Sequence, residues 1–245
     1  LANSRIADVT AHPALRGSVD VIASLYDAQH DAESKELLTY WSDDLKERVG
    51  ITYLVPKSKG DLQRRRKMMR FWADRSCGMM GRTGDYVGTM MMAWGAKKEF
   101  FGAPFDQRVA EYVDFCRRRD LFLTHALIDP QVDRTRNRAD QIDSDVCLRV
   151  VGETREGIVV SGCKMIGTSA PIADEVLIWP LPVPQSENEV AHAIAFAVPM
   201  SLPGLKIICR SSFAHPGQEM DFPLSARFDE MDAVLIFEHA VVPWE

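Results

Sequence analysis

Arg82 and Tyr86 are the two residues of this chain whose types and spacing most directly suit the binding of an oxygen atom. They lie in Gly81-Arg-Thr-Gly-Asp-Tyr86, and a helix that begins near Gly84 would have both residues at its first turn. A guanidinium and a phenol side by side suit an anionic or phenolic oxygen, because guanidinium binds oxyanions through directed hydrogen bonds. An exposed arginine beside a partly buried tyrosine is the structural alternative, since most arginines lie at protein surfaces.

His125 is the candidate acid–base residue, and it lies in the middle of an apolar run. The run is Leu121-Phe-Leu-Thr-His-Ala-Leu-Ile-Asp-Pro-Gln131, which predicts a buried strand that stops at Pro130. Apolar surroundings leave the charge of an imidazole to whatever group faces it, so His125 could move or hold a proton. A histidine that is simply hydrogen-bonded within the core is the alternative.

The elements that must position these residues change in character along the chain. The first 120 or so residues show helical spacing, for example from Val19 to Tyr26, after Asp61, after Gly84 and from Gln107 to Arg119. After Pro130 the pattern favours strands, with a hairpin from Cys147 to Cys163 and further β-like runs near 175–179, 193–198, 206–209 and 233–237. A helical half followed by a β half indicates an α+β fold rather than alternating βαβ units.

Composition narrows the class of protein. The chain has 245 residues, 46% hydrophobic and 26% charged, and a net charge of −6, which argues against a general nucleic-acid binder. Its five cysteines are widely spaced without a CxxC pair, so we expect a reducing, cytoplasmic location. The sequence lacks a signal-peptide pattern and an apolar run of about 20 residues, so no membrane association is expected. The two ends suggest a portion of a longer protein.

Three segments together resemble a known family. Gly81–Tyr86, the run around His125 and Lys164-Met-Ile-Gly-Thr168 are similar to segments of the two-component, reduced-flavin-dependent phenol hydroxylases, the 4-hydroxyphenylacetate 3-monooxygenase family. The resemblance implies an acyl-CoA dehydrogenase-like fold. Its N-terminal helical domain would cover residues 1–122 and its antiparallel β-barrel domain residues 123–245, and the C-terminal helical bundle of the family would be missing from this chain.

The resemblance also implies an activity. Members of the family take FADH2 from a separate NAD(P)H-flavin reductase and react it with O2. The resulting flavin hydroperoxide hydroxylates a phenolic substrate in the ortho position, in some relatives with loss of a halogen or nitro substituent. Relatives are homodimers or homotetramers, so we expect a cytoplasmic FAD-dependent homo-oligomer that binds neither nucleic acid nor membrane.

The site residues follow from the same resemblance. Arg82, Tyr86 and His125 match positions that converge on the phenol oxygen, where Arg82 would stabilise the phenolate and His125 would act as general base or hydrogen-bond partner. The flavin would contact His125, Ala126, Leu127, Gln131, Val132, Asp133, Arg134 and Thr168. Without the resemblance, residues 131–138 would be interpreted as a solvated polar loop. Residues 180–189 correspond to a mobile flap over the substrate, although a surface connection explains them equally well.

Other interpretations remain open. A 4-hydroxybutyryl-CoA dehydratase relative would share the architecture, with Cys209 and His215 as candidate ligands. It needs a close pair of cysteines in the helical region, and Cys77 has no second cysteine near it in the sequence. A non-catalytic domain is the second alternative. The histidines show no metal-ligand spacing, so no metal is expected. The basic runs 64–67 and 117–119 are interpreted as solvated helix faces or oligomer contacts.

Overall fold

The computed structural model describes residues 1, 4–181, 183 and 186–244. Their backbone contacts group them into two compact units. The helical unit comprises residues 8–122 and 213–230, and the sheet unit comprises residues 1–7, 123–212 and 231–245. One boundary between the units lies between residues 122 and 123. Residues 1–7 belong to the sheet unit and residues 213–230 belong to the helical unit, so the units are not two consecutive halves of the chain. The division into domains 1–122 and 123–245 stays a proposal.

The helical unit contains the helices that the spacing of apolar residues predicts. Its α-helices are α1 (Arg16–Asp27), α2 (Lys35–Leu38), α3 (Lys59–Arg75), α4 (Gly84–Ala96), α5 (Phe105–Arg119) and α6 (Ser225–Phe228). Helix α3 begins with a side-chain cap, because Ser58 Oγ accepts a hydrogen bond from the backbone N–H of Asp61 at 3.1 Å. A short antiparallel hairpin, β1 (Thr39–Ser42) and β2 (Glu47–Gly50), interrupts the helices and is absent from the sequence prediction.

The basic runs are not simply solvated, so that interpretation was wrong for two of their arginines. Arg65 is only 5% exposed. Its guanidinium donates hydrogen bonds to the backbone carbonyls of Ile51, Thr52 and Leu54 and to Thr89 Oγ1. The last turn of a 3-10 helix leaves such carbonyls unsatisfied, and a buried guanidinium has enough donors to bind several of them. Arg117 is likewise largely buried and pairs with Asp44 and Asp114.

The sheet unit is built on a seven-stranded sheet. Its strands are β3 (Leu123–Ile128), β4 (Arg149–Glu153), β5 (Gly157–Thr168), β6 (Glu175–Leu181), β7 (Phe196–Pro199), β8 (Leu205–Cys209) and β9 (Asp232–Pro243). Their order is β7-β6-β3-β5-β9-β8, with β4 paired to β5. The predicted hairpin is β4–β5, and the neighbouring pairs are antiparallel except β3 with β6, which run parallel.

The strands of the sheet unit share one hydrophobic core. It is formed by Ala126, Leu148, Val160, Ala170, Val176, Ile178, Val198, Ala233, Leu235, Phe237, Ala240 and Val242. Alternate residues of β9 are buried on either side of Glu238 and His239, two consecutive exposed residues, as a half-buried strand requires. Strand β3 lies between β5 and β6, so residues 123–126 are buried on both faces. This placement carries His125 into the interior of the unit.

Candidate active site

Arg82 and Tyr86 form a stacked pair at the start of α4, within the helical unit. The guanidinium carbon of Arg82 lies 4.2 Å from the centroid of the Tyr86 ring. Tyr86 is in the first turn of the helix and is 39% exposed, so its phenol edge reaches the surface of the unit. A guanidinium over a ring face is favourable by about 0.5–1 kcal/mol at an exposed site. The sequence prediction that these two residues approach the same volume is confirmed.

Arg82 makes two hydrogen bonds, one from its backbone and one from its side chain. Its N–H donates to Glu230 Oε1, and its Nη1 donates to the carbonyl of Gly81 at 3.3 Å. Its Nε is buried and makes no hydrogen bond with any described residue. The stacked ring covers only the face of the guanidinium, so the in-plane N–H of Nε has no acceptor among the described residues.

Gly84 fixes where α4 begins. A Cβ at Gly84 would lie 2.1 Å from the hydroxyl oxygen of Tyr26 and 3.5 Å from the Trp72 ring. Tyr26 and Trp72 are themselves packed together, with ring centroids 5.8 Å apart. The absence of a side chain therefore lets the first turn of α4 lie against these two aromatic residues, and this packing orients the neighbouring Arg82 and Tyr86.

His125 is located in the sheet unit, in the middle of β3. It is 8% exposed, and its ring centroid lies 5.6 Å from that of Trp179 in β6, with a tilt of 53° between the rings. Its backbone is in register with Leu177. A buried imidazole beside an indole is held in one orientation, which a residue that accepts or donates a proton at a fixed atom needs. Its convergence with Arg82 and Tyr86, which belong to the helical unit, stays a prediction.

The two residues after His125 differ in what they expose. The side chain of Ala126 is wholly buried in the core, so only its backbone could contact a ligand. Leu127 is partly buried, and its carbonyl accepts a hydrogen bond from Lys164 Nζ at 3.1 Å.

Residues 131–134 form an exposed but internally bonded loop. Gln131, Val132 and Arg134 are exposed, and Val132 is 71% exposed. The carboxylate of Asp133 accepts hydrogen bonds from the N–H and the hydroxyl of Thr135, which lower its pKa. The side chain of Gln141 donates to the carbonyl of Asp133 at 3.0 Å and accepts from its N–H at 3.3 Å. The solvated-loop alternative and the predicted flavin contact both fit this arrangement.

Thr168 ends β5 with its hydroxyl already engaged. Thr168 Oγ1 donates to Asp232 Oδ1 at 2.7 Å, and its backbone carbonyl accepts a hydrogen bond from Thr124 Oγ1. Sequence reasoning named Thr168 but missed Asp232. The available signal was the acidic stretch Asp229-Glu-Met-Asp232, which ends where the apolar run of β9 begins.

Two further findings concern cofactor and membrane. Among the described residues, no group of three or more histidine, cysteine or acidic side chains is placed to hold a metal ion. None of the described helices is both long and apolar enough to cross a membrane. Part of the predicted flap, residues 182, 184 and 185, lies outside the described residues.

Comparison with known proteins places these features in a family. The family model described as 4-hydroxyphenylacetate 3-hydroxylase N terminal matches residues 1–245. The oxygenase component of 4-hydroxyphenylacetate 3-monooxygenase from Thermus thermophilus is 44% identical over 241 residues, which are 98% of this chain and 49% of that protein. The chain therefore spans about half the length of such relatives.

Solved structures agree with the family match. A crystal structure of the oxygenase component of 4-hydroxyphenylacetate 3-monooxygenase with FAD and 4-hydroxyphenylacetate superposes with a TM-score of 0.90 at 44% identity, covering 98% of this chain and 49% of that one. A 4-hydroxybutyryl-CoA dehydratase from N. maritimus has a TM-score of 0.85 at 21% identity, covering 100% and 49%, and shows a shared fold alone. The predicted acyl-CoA dehydrogenase-like fold is confirmed. By its end-to-end match, the chain belongs to the 4-hydroxyphenylacetate 3-hydroxylase family and corresponds to its N-terminal region.

Proposed function

We propose that this protein is the oxygenase component of a two-component monooxygenase that hydroxylates a phenol in the ortho position, using O2 and FADH2. The observation that carries the proposal is the family match over residues 1–245. The 44% identity to an oxygenase crystallised with FAD and 4-hydroxyphenylacetate supports a para-substituted phenol as the substrate class. A separate NAD(P)H-dependent reductase would supply the FADH2, as the name oxygenase component implies for the relative.

In this proposal Arg82, Tyr86 and His125 bind the phenol oxygen. The buried Nε–H of Arg82 is a donor that no described residue uses, and it suits the negative charge of a phenolate. Tyr86, which is 39% exposed, brings a phenol hydroxyl to the same pair. His125 would take the phenol proton, since a phenolate ring is far richer in electrons than a phenol ring and attacks an electrophilic oxygen more readily.

The residues predicted to hold FAD fit the chemistry of the cofactor. The Thr168 hydroxyl donates a hydrogen bond to Asp232, so Thr168 Oγ1 can act only as an acceptor towards a ligand. An acceptor at this position suits the N–H groups of a reduced isoalloxazine ring. The exposed Arg134 suits a pyrophosphate, and the neighbouring backbone of residues 131 and 132 offers amide donors. Bound reduced FAD would supply the activated oxygen, while the protein positions the ring and excludes water.

Location and assembly are proposals of the same kind. No disulfide joins any of the described cysteines, which suits a reducing cytoplasm where flavin reductases also operate. Assembly into a homodimer or homotetramer follows from the family resemblance alone.

A single-turnover experiment tests the function. The intact protein is loaded anaerobically with FADH2 and mixed with oxygenated buffer, with and without 4-hydroxyphenylacetate, and the products are separated by chromatography. We expect one catechol to form for nearly every FADH2 oxidised, with hydrogen peroxide as the product when no phenol is present. Quantitative hydrogen peroxide with every para-substituted phenol tried would contradict the proposal, and tight binding of a CoA thioester would then favour the dehydratase alternative.

A further inference from the structure

Four buried side chains of alternating charge form a chain of ion pairs in the sheet unit. Lys164 Nζ lies 2.7 Å from Asp129 Oδ1, Arg138 Nη1 lies 3.2 Å from Asp129 Oδ2, and Arg138 Nε lies 3.3 Å from Glu189 Oε1. None of the four side chains is more than 12% exposed. We call this set the ion chain. Its members come from four separate segments, so it joins β5, the end of β3, the 3-10 turn at Arg138–Asp140 and the 3-10 helix at Glu187–His192.

Lys164 is buried beside an irregularity in the sheet. The pairing of β3 with β6 shifts register between Ala126 and Ile128, so Leu127 lies opposite the segment that contains Pro180. Proline has no N–H to donate to a ladder. Lys164 Nζ donates to the carbonyl of Leu127 at 3.1 Å, and it lies 2.7 Å from Asp129 Oδ1. The lysine therefore links the backbone of β3 at this irregularity to the ion chain.

The charges of the ion chain balance, two cations against two anions. Burial lowers the pKa of Lys164, and the hydrogen bond to Asp129 opposes that shift. Removing one partner would leave an uncompensated buried charge, which is strongly destabilising, whereas removing a whole pair is often close to neutral. Global stability alone therefore does not explain four buried charges, and the segments that they hold in place offer a better explanation.

The ion chain holds both ends of the predicted flavin loop. Asp129 immediately precedes residues 130–137 and Arg138 immediately follows them, so the segment with the predicted contacts 131–134 lies between two anchored residues. Glu189 pairs with the same Arg138, so the 3-10 helix Glu187–His192 is joined to the ion chain as well. The far end of that segment is fixed separately, because His192 Nδ1 lies 2.9 Å from the carbonyl of Leu148.

We propose that Lys164 is a positioning residue for the flavin: through Asp129 and Arg138 it fixes both ends of the loop 130–137, and through Glu189 it couples that loop to the 3-10 helix Glu187–His192. This inference deepens the proposed function and rests on it for the identity of the ligand. Lys164 itself contacts the carbonyl of Leu127 and the carboxylate of Asp129. Its effect on the cofactor is therefore exerted through the loop.

The test separates loop positioning from global stability. Lys164→Met removes one charge of the ion chain, and the double variant Lys164→Met/Asp129→Leu removes a complete pair while leaving Arg138 with Glu189. Lys206→Met is the matched control, because Lys206 pairs with Glu238 at 2.6 Å in the same unit but at an exposed site. Each intact protein is examined by thermal unfolding, by anaerobic titration with FADH2 and by limited trypsin digestion, since Arg134 and Arg136 are exposed sites in the loop.

We expect Lys164→Met to unfold at a lower temperature, to bind FADH2 at least tenfold more weakly and to be cleaved faster at Arg134 and Arg136. The double variant should regain most of the unfolding temperature but keep the weak FADH2 binding and the fast cleavage. A double variant with wild-type FADH2 affinity and wild-type cleavage would overturn the proposal. If Lys164→Met does not fold, the double variant alone tests the proposal. Wild-type protein that fails to bind FADH2 would instead refute the proposed function, with the cleavage rates still testing the loop.

Discussion

Thr168 donates its hydroxyl proton to Asp232, with 2.7 Å between Oγ1 and Oδ1. The two residues lie opposite each other where β5 pairs with β9, so the sheet register itself brings them together. A hydroxyl with its proton engaged in this way can only accept from a further partner. Thr168 Oγ1 therefore favours a ligand that presents an N–H donor over a ligand that presents only an acceptor.

The first prediction follows from that polarity. Thr168→Val keeps the shape of the side chain and removes the acceptor, so the affinity for FADH2 should fall about fivefold, the value of roughly one hydrogen bond of 1 kcal/mol. Thr168→Ser retains the hydroxyl and should bind within twofold of wild type. Anaerobic titration followed by flavin absorbance measures both. Equal affinity in the valine and serine variants would show that the hydroxyl does not face the flavin.

The second prediction concerns Arg82. Arg82→Ala removes the donor proposed for the phenolate, so kcat/KM for hydroxylation should fall at least about 100-fold, while the Kd for FADH2 stays within about twofold. Arg75 is the matched control, because its guanidinium lies 4.6 Å from the Phe71 ring in the same unit but outside the predicted site. Arg75→Ala should leave hydroxylation near the wild-type value. Similar losses in both variants would mean that arginine–aromatic stacking matters only for folding.

The third prediction concerns the two buried histidines of the sheet unit. His125→Asn removes the basic imidazole and should lower hydroxylation by about 100-fold, in the range typical of a lost general base. His192 is also buried, and its Nδ1 lies 2.9 Å from the Leu148 carbonyl, for which His192→Asn keeps a donor. Product analysis in single turnovers should show a large loss in the first variant and less than a threefold loss in the second. A larger loss in His192→Asn than in His125→Asn would show that His125 is not part of the active site.

Helices and strands with clear periodicity could be predicted from the sequence, and contacts between distant segments could not. The spacing of Val19, Ile22 and Tyr26 and the turn between Val151 and Ile158 each depend on near neighbours, and both elements occur as expected. The hairpin β1–β2 was missed because each strand has only four residues and follows a helical pattern directly.

The candidate site shows the same division between local and distant information. A buried position for His125 follows from the apolar residues on both sides of it. The partner of Thr168 lies 64 residues away, and Lys164 meets its carboxylate across a 35-residue separation in which several other acidic residues occur. A single sequence gives no means of choosing among those carboxylates. The positioning contacts of the site were therefore visible only in the fold.

The last prediction uses the alkaline limit of stability. Burial raises the pKa of the Cys147 thiol to about 11, from an ordinary value of 9.0. Between these two values the unfolded chain has lost the proton and the folded protein has kept it, so stability falls as the pH rises from 9 towards 11. Cys147→Ala removes this contribution, and its free energy of unfolding should decline less steeply, by about 2 kcal/mol at pH 10.5 relative to pH 8.

Urea unfolding at pH 8 and pH 10.5 measures that difference, with Cys77→Ser as the control because Cys77 is exposed. The control should follow wild type at both values of pH. The sign of the effect is set by burial, and the nearby carboxylate of Asp129 acts in the same direction. If Cys147→Ala and wild type lose equal stability between pH 8 and pH 10.5, the thiol ionises in the folded protein as it does in the unfolded chain. Such a result would contradict the buried position of Cys147 beside the ion chain.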